Sequence, residues 1–316
     1  LGNICTRSCR FCAVQHGKPK ELDLSEPDRV AEAIFDLKLD YAVITSVNRD
    51  ELPDGGAFLF AETVRCIRAI RPSCLVELLV PDFCGNLEAL DTVLHSKPHV
   101  LNHNVETVPR LYRTIQPWSN WEDSLAILRH ASEKGFVTKS GIIVGLGETE
   151  DELREAIQQV RETGCRILTI GQYLSPTPRH AKVERVVSKD EFHRYEEYAR
   201  QLGFAAVLSG PLVRSSYRAR WAYECAQRQM NPTTYESSSK KCKISLSSGF
   251  QLAAIWVLFF TYPPDPVFPS KLPTGYCSTR WYIPACSRVW PSVTFGDWSK
   301  ANSLRSRCVP FGLPSS

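Results

Sequence analysis

Residues 137–174, VTKSGIIVGLGETEDELREAIQQVRETGCRILTIGQYL, hold two short apolar runs separated by a segment with helical character. The runs at 137–145 and 167–174 are rich in β-branched residues, as buried strands are. Between them, Thr149 stands three residues before Glu152, which is the spacing of a capping box, and Gly164 follows the helical segment as a C-terminal glycine does. This order of strand, helix and strand is typical of a parallel βαβ unit.

The same alternation continues along the chain in both directions. Further β-branched runs lie at 41–47, 75–81, 100–106 and 204–210, with helical segments at 58–71, 120–135 and 188–203 and a helix start at Ser25 and Pro27. This pattern predicts an α/β fold, either an open doubly wound sheet or a full or partial TIM-type barrel. Barrel enzymes place their chemistry where strands end. The polar residues at such positions are Thr45, Ser46, Asn102, His103, Asn104, Glu106, Gln172 and Tyr173.

Charge and hydropathy exclude some functions. The 316 residues carry a net charge of +4, which divides into −3 for residues 1–227 and +7 for residues 228–316. A nearly neutral body argues against nucleic-acid binding. The apolar stretch at 250–260 is too short for a comfortable membrane span, and no signal peptide is visible, so we expect no membrane anchor.

Three thiols lie close together in CTRSCRFC, at Cys5, Cys9 and Cys12. A zinc site usually takes a fourth ligand from a second cysteine pair, and no such pair accompanies them. A disulfide within the trio is not expected beside so many other unpaired cysteines. Three thiolates suit a [4Fe–4S] cluster that leaves one iron without a protein ligand, so the spacing favours an iron–sulfur site.

The Cx3Cx2C spacing, with Phe11 before the last cysteine, resembles the radical S-adenosylmethionine superfamily. Seven stretches narrow the resemblance to the lipoyl synthases: GNICTRSCRFCAVQHGKP, YAVITSVNRDELPDGGA, VELLVPDF, NHNVETVPRLYRTIQP, TKSGIIVGLGET, LTIGQYLSPTPRH and GPLVRSSYRA. The resemblance implies a partial (β/α)6 barrel over residues 1–219, with its first strand truncated. We expect residues 220–316 to be a largely irregular, atypical extension.

The resemblance also implies a reaction. A cluster on Cys5, Cys9 and Cys12 would bind S-adenosylmethionine and cleave it to a 5′-deoxyadenosyl radical. The radical would take hydrogens from C6 and C8 of an octanoyl chain on a carrier lysine, before sulfur insertion. Implied partners are the lipoyl domains of dehydrogenase E2 subunits, the glycine cleavage H protein and an electron donor such as ferredoxin or flavodoxin. The implied compartment is the bacterial cytoplasm, or a mitochondrion or plastid in a eukaryote.

Cofactor contacts follow from the same resemblance. Asn102, Asn104 and Glu106 alternate along a strand end, so they point to one side and are implied to bind the ribose and the methionyl carboxylate. Each remaining candidate has a structural alternative. The methionyl amino group is the predicted contact of Asp54, Gly55 and Gly56, which otherwise form a loop; a ligand carboxylate is the predicted contact of Lys139 and Ser140, which otherwise meet a structural partner. The adenine is the predicted neighbour of Gln172 and Tyr173, which otherwise pack in the core. The predicted cofactor-binding set also includes Thr45 and Ser46.

Ser216, in the RSSY segment, is implied to ligate an auxiliary [4Fe–4S] cluster that donates sulfur. The family's other three ligands come from a Cx4Cx5C motif before the radical motif, and this sequence has no such motif there. We therefore expect S-adenosylmethionine cleavage without sulfur insertion. The alternatives are another single-cluster radical enzyme and an inactive remnant that only binds the carrier.

Overall fold

The computed structural model describes residues 1–231. Six parallel strands form one sheet in the order β1-β2-β3-β4-β5-β6, an open partial barrel. The predicted α/β architecture is therefore confirmed, and each predicted run contributes a strand. The strands are β1 (Tyr41–Thr45), β2 (Leu75–Leu79), β3 (Val100–Asn102), β4 (Val137–Val144), β5 (Ile167–Gln172) and β6 (Ala206–Gly210).

Eight helices connect and cover the strands in the part of the chain that the structure describes. Their apolar sides and the sheet bury a core that includes Phe60, Leu90 and Leu128. The helices are α1 (Glu26–Asp36), α2 (Ala57–Ile70), α3 (Leu87–His95), α4 (Tyr112–Ile115), α5 (Trp121–Glu133), α6 (Glu150–Glu162), α7 (Lys189–Gln201) and α8 (Ala219–Met230). Short 3-10 turns lie at Phe83–Gly85 and Pro109–Leu111.

Local signals in the sequence set most helix ends. The capping boxes of α6 and α7 are both formed, and Gly164 adopts the left-handed conformation (φ 87°) that ends α6. Ser25 behaves differently from the expectation, because its side chain does not cap α1. Its hydroxyl instead donates to Asp23, which also receives the guanidinium of Arg29.

Strand β3 is shorter than the strand predicted for residues 100–106. It ends at Asn102, and the chain then turns so that Glu106, with φ 65°, pairs with β4. The Glu106 amide donates to Gly141 O at 3.0 Å, and Glu106 O accepts from Ile143 N at 2.8 Å. This turn brings residues 103–106 to the carboxyl end of the sheet, where the polar residues cluster.

The two ends of the described region add detail to the predicted boundaries. Leu1 lies beside the end of β1, where its amino group donates to Thr45 O and its carbonyl accepts from Val47 N. Helix α8, which the sequence pattern did not predict, buries Ala222 and Ala226 against the sheet. The irregular extension predicted for 220–316 is therefore wrong for its first residues, which form α8. Residues 232–316 of that predicted extension lie outside the described residues.

None of the helices in residues 1–231 is both long and apolar enough to pass through a bilayer. The apolar stretch at 250–260 lies outside the described residues.

Candidate active site

The three predicted ligands lie on one closed loop at the carboxyl end of the sheet. Backbone hydrogen bonds close the loop, from Cys5 N to Gln15 O (2.8 Å) and from Gly17 N to Cys5 O (2.9 Å). Within it, Cys12 N donates to Cys9 O at 3.1 Å. All three thiols are free of disulfides. The loop therefore carries Cys5, Cys9 and Cys12 without cross-linking them.

The electrostatics of this loop fit a cationic occupant. Burial, together with the negative charges of Cys12, Cys5 and Glu106, raises the pKa of the Cys9 thiol to about 12. Burial also raises the pKa of Cys12, with Cys5 and Glu106 contributing in the same direction. Bound iron would reverse this tendency, because a coordinating thiol is deprotonated by the metal's charge. The thiols therefore suit an iron–sulfur cluster.

Donors to sulfur are already in place around Cys5. Its Sγ accepts from Arg7 N at 3.4 Å and from the side-chain amide of Asn48 at 3.7 Å. Hydrogen bonds of this kind stabilise a ligating thiolate and tune its cluster. Among residues 1–231, no three His, Cys, Asp or Glu side chains converge closely enough to hold a single metal ion.

Arg7, between the first two cysteines, was missed by the sequence analysis. Its side chain is almost fully buried and forms ion pairs with Asp50 (2.8 Å) and Asp82 (2.6 Å). Burial opposes the shift, but the hydrogen bonds that Arg7 donates to both carboxylates raise the Arg7 pKa above its ordinary value. Asp82 directly follows the second apolar run, so an acidic residue at a strand end was the available signal. The pairs hold the cysteine loop against two strand ends.

A cleft of about 230 Å³ opens beside the cysteine loop. Four predicted residues line it, namely Asn104, Glu106, Gln172 and Tyr173. The other lining residues are Phe11, Gly141, Ile142, Ile143, Thr169, Gly171, Leu174, Val213, Arg214 and Ser215. The structure thus brings the loop and four of the predicted cofactor contacts to one place.

Asn104 is the central polar group of the cleft. Its amide donates to Glu106 Oε1 at 3.1 Å and to Ser215 Oγ at 2.9 Å, and its carbonyl accepts from the same serine. Burial raises the pKa of Glu106 to about 7, opposed by the hydrogen bond from Asn104. At neutral pH the Glu106 carboxyl can therefore donate or accept a proton.

Gly141, in the middle of β4, makes room for Asn104. A Cβ at this position would lie 2.6 Å from Asn104 Oδ1 and 2.8 Å from Thr169 Oγ1. The sequence carried a signal for this residue, since a glycine inside a strand pattern indicates a close approach. The cofactor contacts predicted from this strand were instead its neighbours Lys139 and Ser140.

Lys139 has a structural partner and does not line the cleft. Its Nζ donates to Glu77 Oε1 at 2.8 Å and to Ser215 O, and both charged side chains are completely buried. Glu77 also accepts from Asn102 (2.8 Å) and from the hydroxyl of Tyr41 (2.6 Å). Of the two interpretations offered for Lys139, the structure shows the salt bridge.

Asn102 and Ser140 belong to the same buried layer. The Asn102 amide is bound to Glu77, so this side chain does not join Asn104 and Glu106 in the cleft. Ser140 Oγ accepts from Val105 N at 3.3 Å, which fixes the turn after β3. Both residues hold the barrel interior together beneath the cleft.

Gln172 and Tyr173 line the cleft, and their side chains also form hydrogen bonds with backbone groups. The Gln172 amide donates to three carbonyl groups between 3.0 and 3.2 Å, and its oxygen accepts from Val187 N at 2.9 Å. The Tyr173 hydroxyl donates to Ala181 O at 2.8 Å. They present side-chain surface to the cleft and keep the segment after β5 in place.

The remaining candidates lie outside the cleft lining. Asp54 accepts from Gly56 N and Phe58 N at 2.9 and 2.8 Å, so it organises the start of α2. Gly55 has φ 59°, and a Cβ there would lie 3.0 Å from the ring of Phe83. Thr45 and Ser46 donate to the carbonyl groups of Leu79 and Val47. Ser216 is buried, one residue beyond the cleft-lining Ser215.

Comparison with known proteins identifies both a superfamily and a family for this chain. Residues 1–160 match the sequence profile of the radical SAM superfamily, which agrees with the thiol loop and the partial barrel. Among curated proteins, the lipoyl synthase of Rubrobacter xylanophilus is 54% identical over 230 residues, covering 72% of each chain. That of Mycolicibacterium smegmatis is 54% identical over 227 residues, also covering 72% of each. The chain belongs to the lipoyl synthase family.

Solved structures support the fold. HydG, a maturase of the [FeFe]-hydrogenase, superposes with a TM-score of 0.55 at 15% identity over 71% of this chain and 53% of its own. Streptococcus suis SuiB, solved with bound S-adenosylmethionine, gives 0.51 at 11% identity over 66% of this chain and 48% of its own. At such identities the likeness concerns the fold alone.

Proposed function

We propose that this chain cleaves S-adenosylmethionine at a [4Fe–4S] cluster held by Cys5, Cys9 and Cys12. The resulting radical would act on an octanoyl chain attached to a lysine of a carrier protein, on the path to protein lipoylation with sulfur at C6 and C8. One observation carries the proposal: the cysteine loop places Phe11 in the same cleft as Asn104 and Glu106. The lipoyl synthases at 54% identity support the choice of substrate.

The protein contributes binding, orientation and shielding. When bound, the cluster supplies the electron that breaks the carbon–sulfur bond of S-adenosylmethionine. We assign Asn104 and Glu106 to the polar groups of this cofactor, since both face the cleft and Glu106 can donate or accept a hydrogen bond at neutral pH. Gln172 and Tyr173 would border the adenine, where their own backbone contacts keep them fixed.

The apolar side chains of the cleft have a separate task. Phe11, Ile142, Leu174 and Val213 line it together with the polar pair. An apolar lining can exclude water and prevents side reactions of a reactive intermediate. It also suits a saturated eight-carbon chain, which buries apolar surface on entry.

The auxiliary cluster does not fit the described residues alone. Ser216 is buried one residue beyond the cleft-lining Ser215, and residues 1–231 contain no set of three cysteine, histidine or acidic side chains close enough together to hold a metal ion, either beside Ser216 or elsewhere. We therefore derive no step through a second cluster. Ser216 stays a candidate ligand of such a cluster.

The test is anaerobic reconstitution of the full chain with iron and sulfide. We expect about four iron atoms per chain, as in one [4Fe–4S] cluster, and 5′-deoxyadenosine after S-adenosylmethionine and a reductant are added. An octanoyl-lysyl carrier deuterated at C6 and C8 should place deuterium in the 5′-deoxyadenosine.

Cys9→Ser should abolish iron binding and cleavage, whereas the matched variant Cys225→Ser, on α8, should retain both. Iron uptake that survives Cys9→Ser would contradict the ligand assignment. Cleavage without deuterium transfer would contradict the octanoyl substrate. Lipoyl product, or about eight iron atoms per chain, would show that a second cluster forms.

A further inference from the structure

Positive charge is concentrated in three segments of the chain. Residues 5–20, 175–183 and 211–218 together contain eight Lys or Arg and no Asp or Glu. The rest of residues 1–227 contains 20 Lys or Arg and 31 Asp or Glu, a net charge of −11. The cationic segments therefore stand out against an acidic body.

Five of these cations define what we call the basic rim: Arg10, Arg179, Lys182, Arg214 and Arg218. All five are exposed, and none forms an ion pair with a carboxylate of residues 1–231. Elsewhere on the surface, exposed arginines such as Arg110 and Arg200 are paired with Glu152 and Glu196. The basic rim therefore holds charge that the described fold leaves uncompensated.

The three segments meet around the mouth of the cleft. Arg10 O accepts from Ala181 N at 2.8 Å, which joins the cysteine loop to the stretch that carries Arg179 and Lys182. His180 bonds to Cys12 O at 3.1 Å and supports the same junction. The third segment reaches the cleft directly, because Arg214 lines it.

Large apolar side chains are exposed beside these cations. Leu174, which lines the cleft, is 54% exposed, and Leu212, in the third segment, is 79% exposed. Trp118 is 63% exposed and donates to Ser8 of the cysteine loop at 3.3 Å. Exposed apolar groups with unpaired charges around them are typical of a protein-binding surface.

We propose that the basic rim docks the acidic face of the acyl-carrier domain, an inference that rests on the proposed function. A compact acidic patch fits because its charge meets the rim while the acidic body repels a long polyanion such as a nucleic acid. Arg214 of the rim lines the cleft that an acyl-lysine must enter, and Arg10 directly precedes the cleft-lining Phe11. This position favours the carrier over an acidic electron donor, which needs no access to the cleft.

The test compares two double charge reversals in the full, reconstituted chain. Arg179→Glu with Lys182→Glu changes the basic rim, while Lys38→Glu with Arg129→Glu changes two exposed, unpaired cations away from it. Binding of an octanoylated acidic carrier domain is measured by stopped flow at about 20 mM and about 300 mM salt, where screening differs strongly. We expect the rim variant to associate about tenfold more slowly at low salt, with little change in the control.

The outcomes separate the docking surface from the proposed function. Cleavage of S-adenosylmethionine without carrier should be the same in wild type and in both variants. Equal slowing in both variants, or in neither, would overturn the docking surface, as would salt-independent association of the wild type. An effect confined to reduction by flavodoxin would also overturn it. Salt-dependent carrier binding by a chain that cannot cleave S-adenosylmethionine would instead support the docking surface and refute the proposed function.

Discussion

Replacing Lys139 by Met should destabilise the barrel strongly. The substitution keeps a long side chain but removes the cation that faces Glu77 at 2.8 Å, in a site where both side chains are fully buried. It also removes the hydrogen bond from Lys139 to Ser215 O, which connects the barrel interior to the segment lining the cleft. The loss therefore affects both the core and the position of Ser215.

The size of the effect follows from what remains around Glu77. Removing one partner of a buried ion pair costs about 3–5 kcal/mol, because it leaves an uncompensated charge. Tyr41 and Asn102 still donate to Glu77, so we expect the lower part of this range, about 3 kcal/mol. For a domain of this size, that corresponds to a melting temperature lowered by about 6–12 °C.

The assay is urea unfolding of the apoprotein, followed by circular dichroism. Lys134→Met is the matched control, since Lys134 pairs with Asp91 at the surface and its loss should cost less than about 1 kcal/mol. Adding Glu77→Gln to Lys139→Met should recover part of the loss, because it removes the unpaired charge. A loss below about 1 kcal/mol for Lys139→Met, or a double variant less stable than the single one, would refute this account of the network.

Three further predictions concern single positions. Gly55→Ala should lower the free energy of unfolding by about 1–2 kcal/mol, because φ is 59° and the new Cβ meets Phe83. The control Gly135→Ala, at φ 84° with open space around the new Cβ, should lower this free energy by less. Equal losses of both variants in urea titrations would contradict the clash with Phe83. Thr149→Ala should lower the free energy of unfolding by about 1 kcal/mol, because it removes the capping box of α6. An unchanged urea midpoint would show that the capping box does not stabilise the protein. Glu106 binds its proton more tightly in the folded state, with a pKa of about 7 against 4.5, so the free energy of unfolding should fall by about 3 kcal/mol as the pH rises through that window. Glu106→Gln should flatten this pH profile, and an unchanged profile would contradict the assignment.

Short-range patterns in the sequence were sufficient to predict the sheet and many helix ends. Strand runs, capping boxes and C-terminal glycines are local signals, and the structure contains each of them where it was predicted, apart from the cap at Ser25. Helix α8 was missed because its buried residues are mainly alanines, which give a weak apolar pattern. The strand at 100–106 was predicted too long because Val105 extends the strand-like pattern past Asn102, although residues 102–104 are polar and lead into a turn.

The site was harder to predict, since its contacts join residues far apart in the chain. Asn104 and Glu106 could be selected from their position after a strand. The partner of Lys139 could not be selected, because Glu77 lies 62 residues away and looks like an ordinary polar residue in an apolar run. The alternation of side chains along a strand predicted that Asn102 and Asn104 share one site. The structure places them at different depths of the barrel, because Asn102 donates to Glu77 and Asn104 donates to Ser215.

Arg7 explains how a short loop can hold three like-charged ligands in one place. Phe11 packs against the apolar core, and ion pairs add to what holds the loop in position. Arg7 forms these pairs with Asp50 and with Asp82, which follow two neighbouring strands. A cation at this point also opposes the mutual repulsion of the thiolates, since Arg7 lowers the pKa of Cys9. One buried side chain thus joins the ligand loop to the sheet and offsets part of its negative charge, which is why its place between Cys5 and Cys9 matters as much as the cysteine spacing.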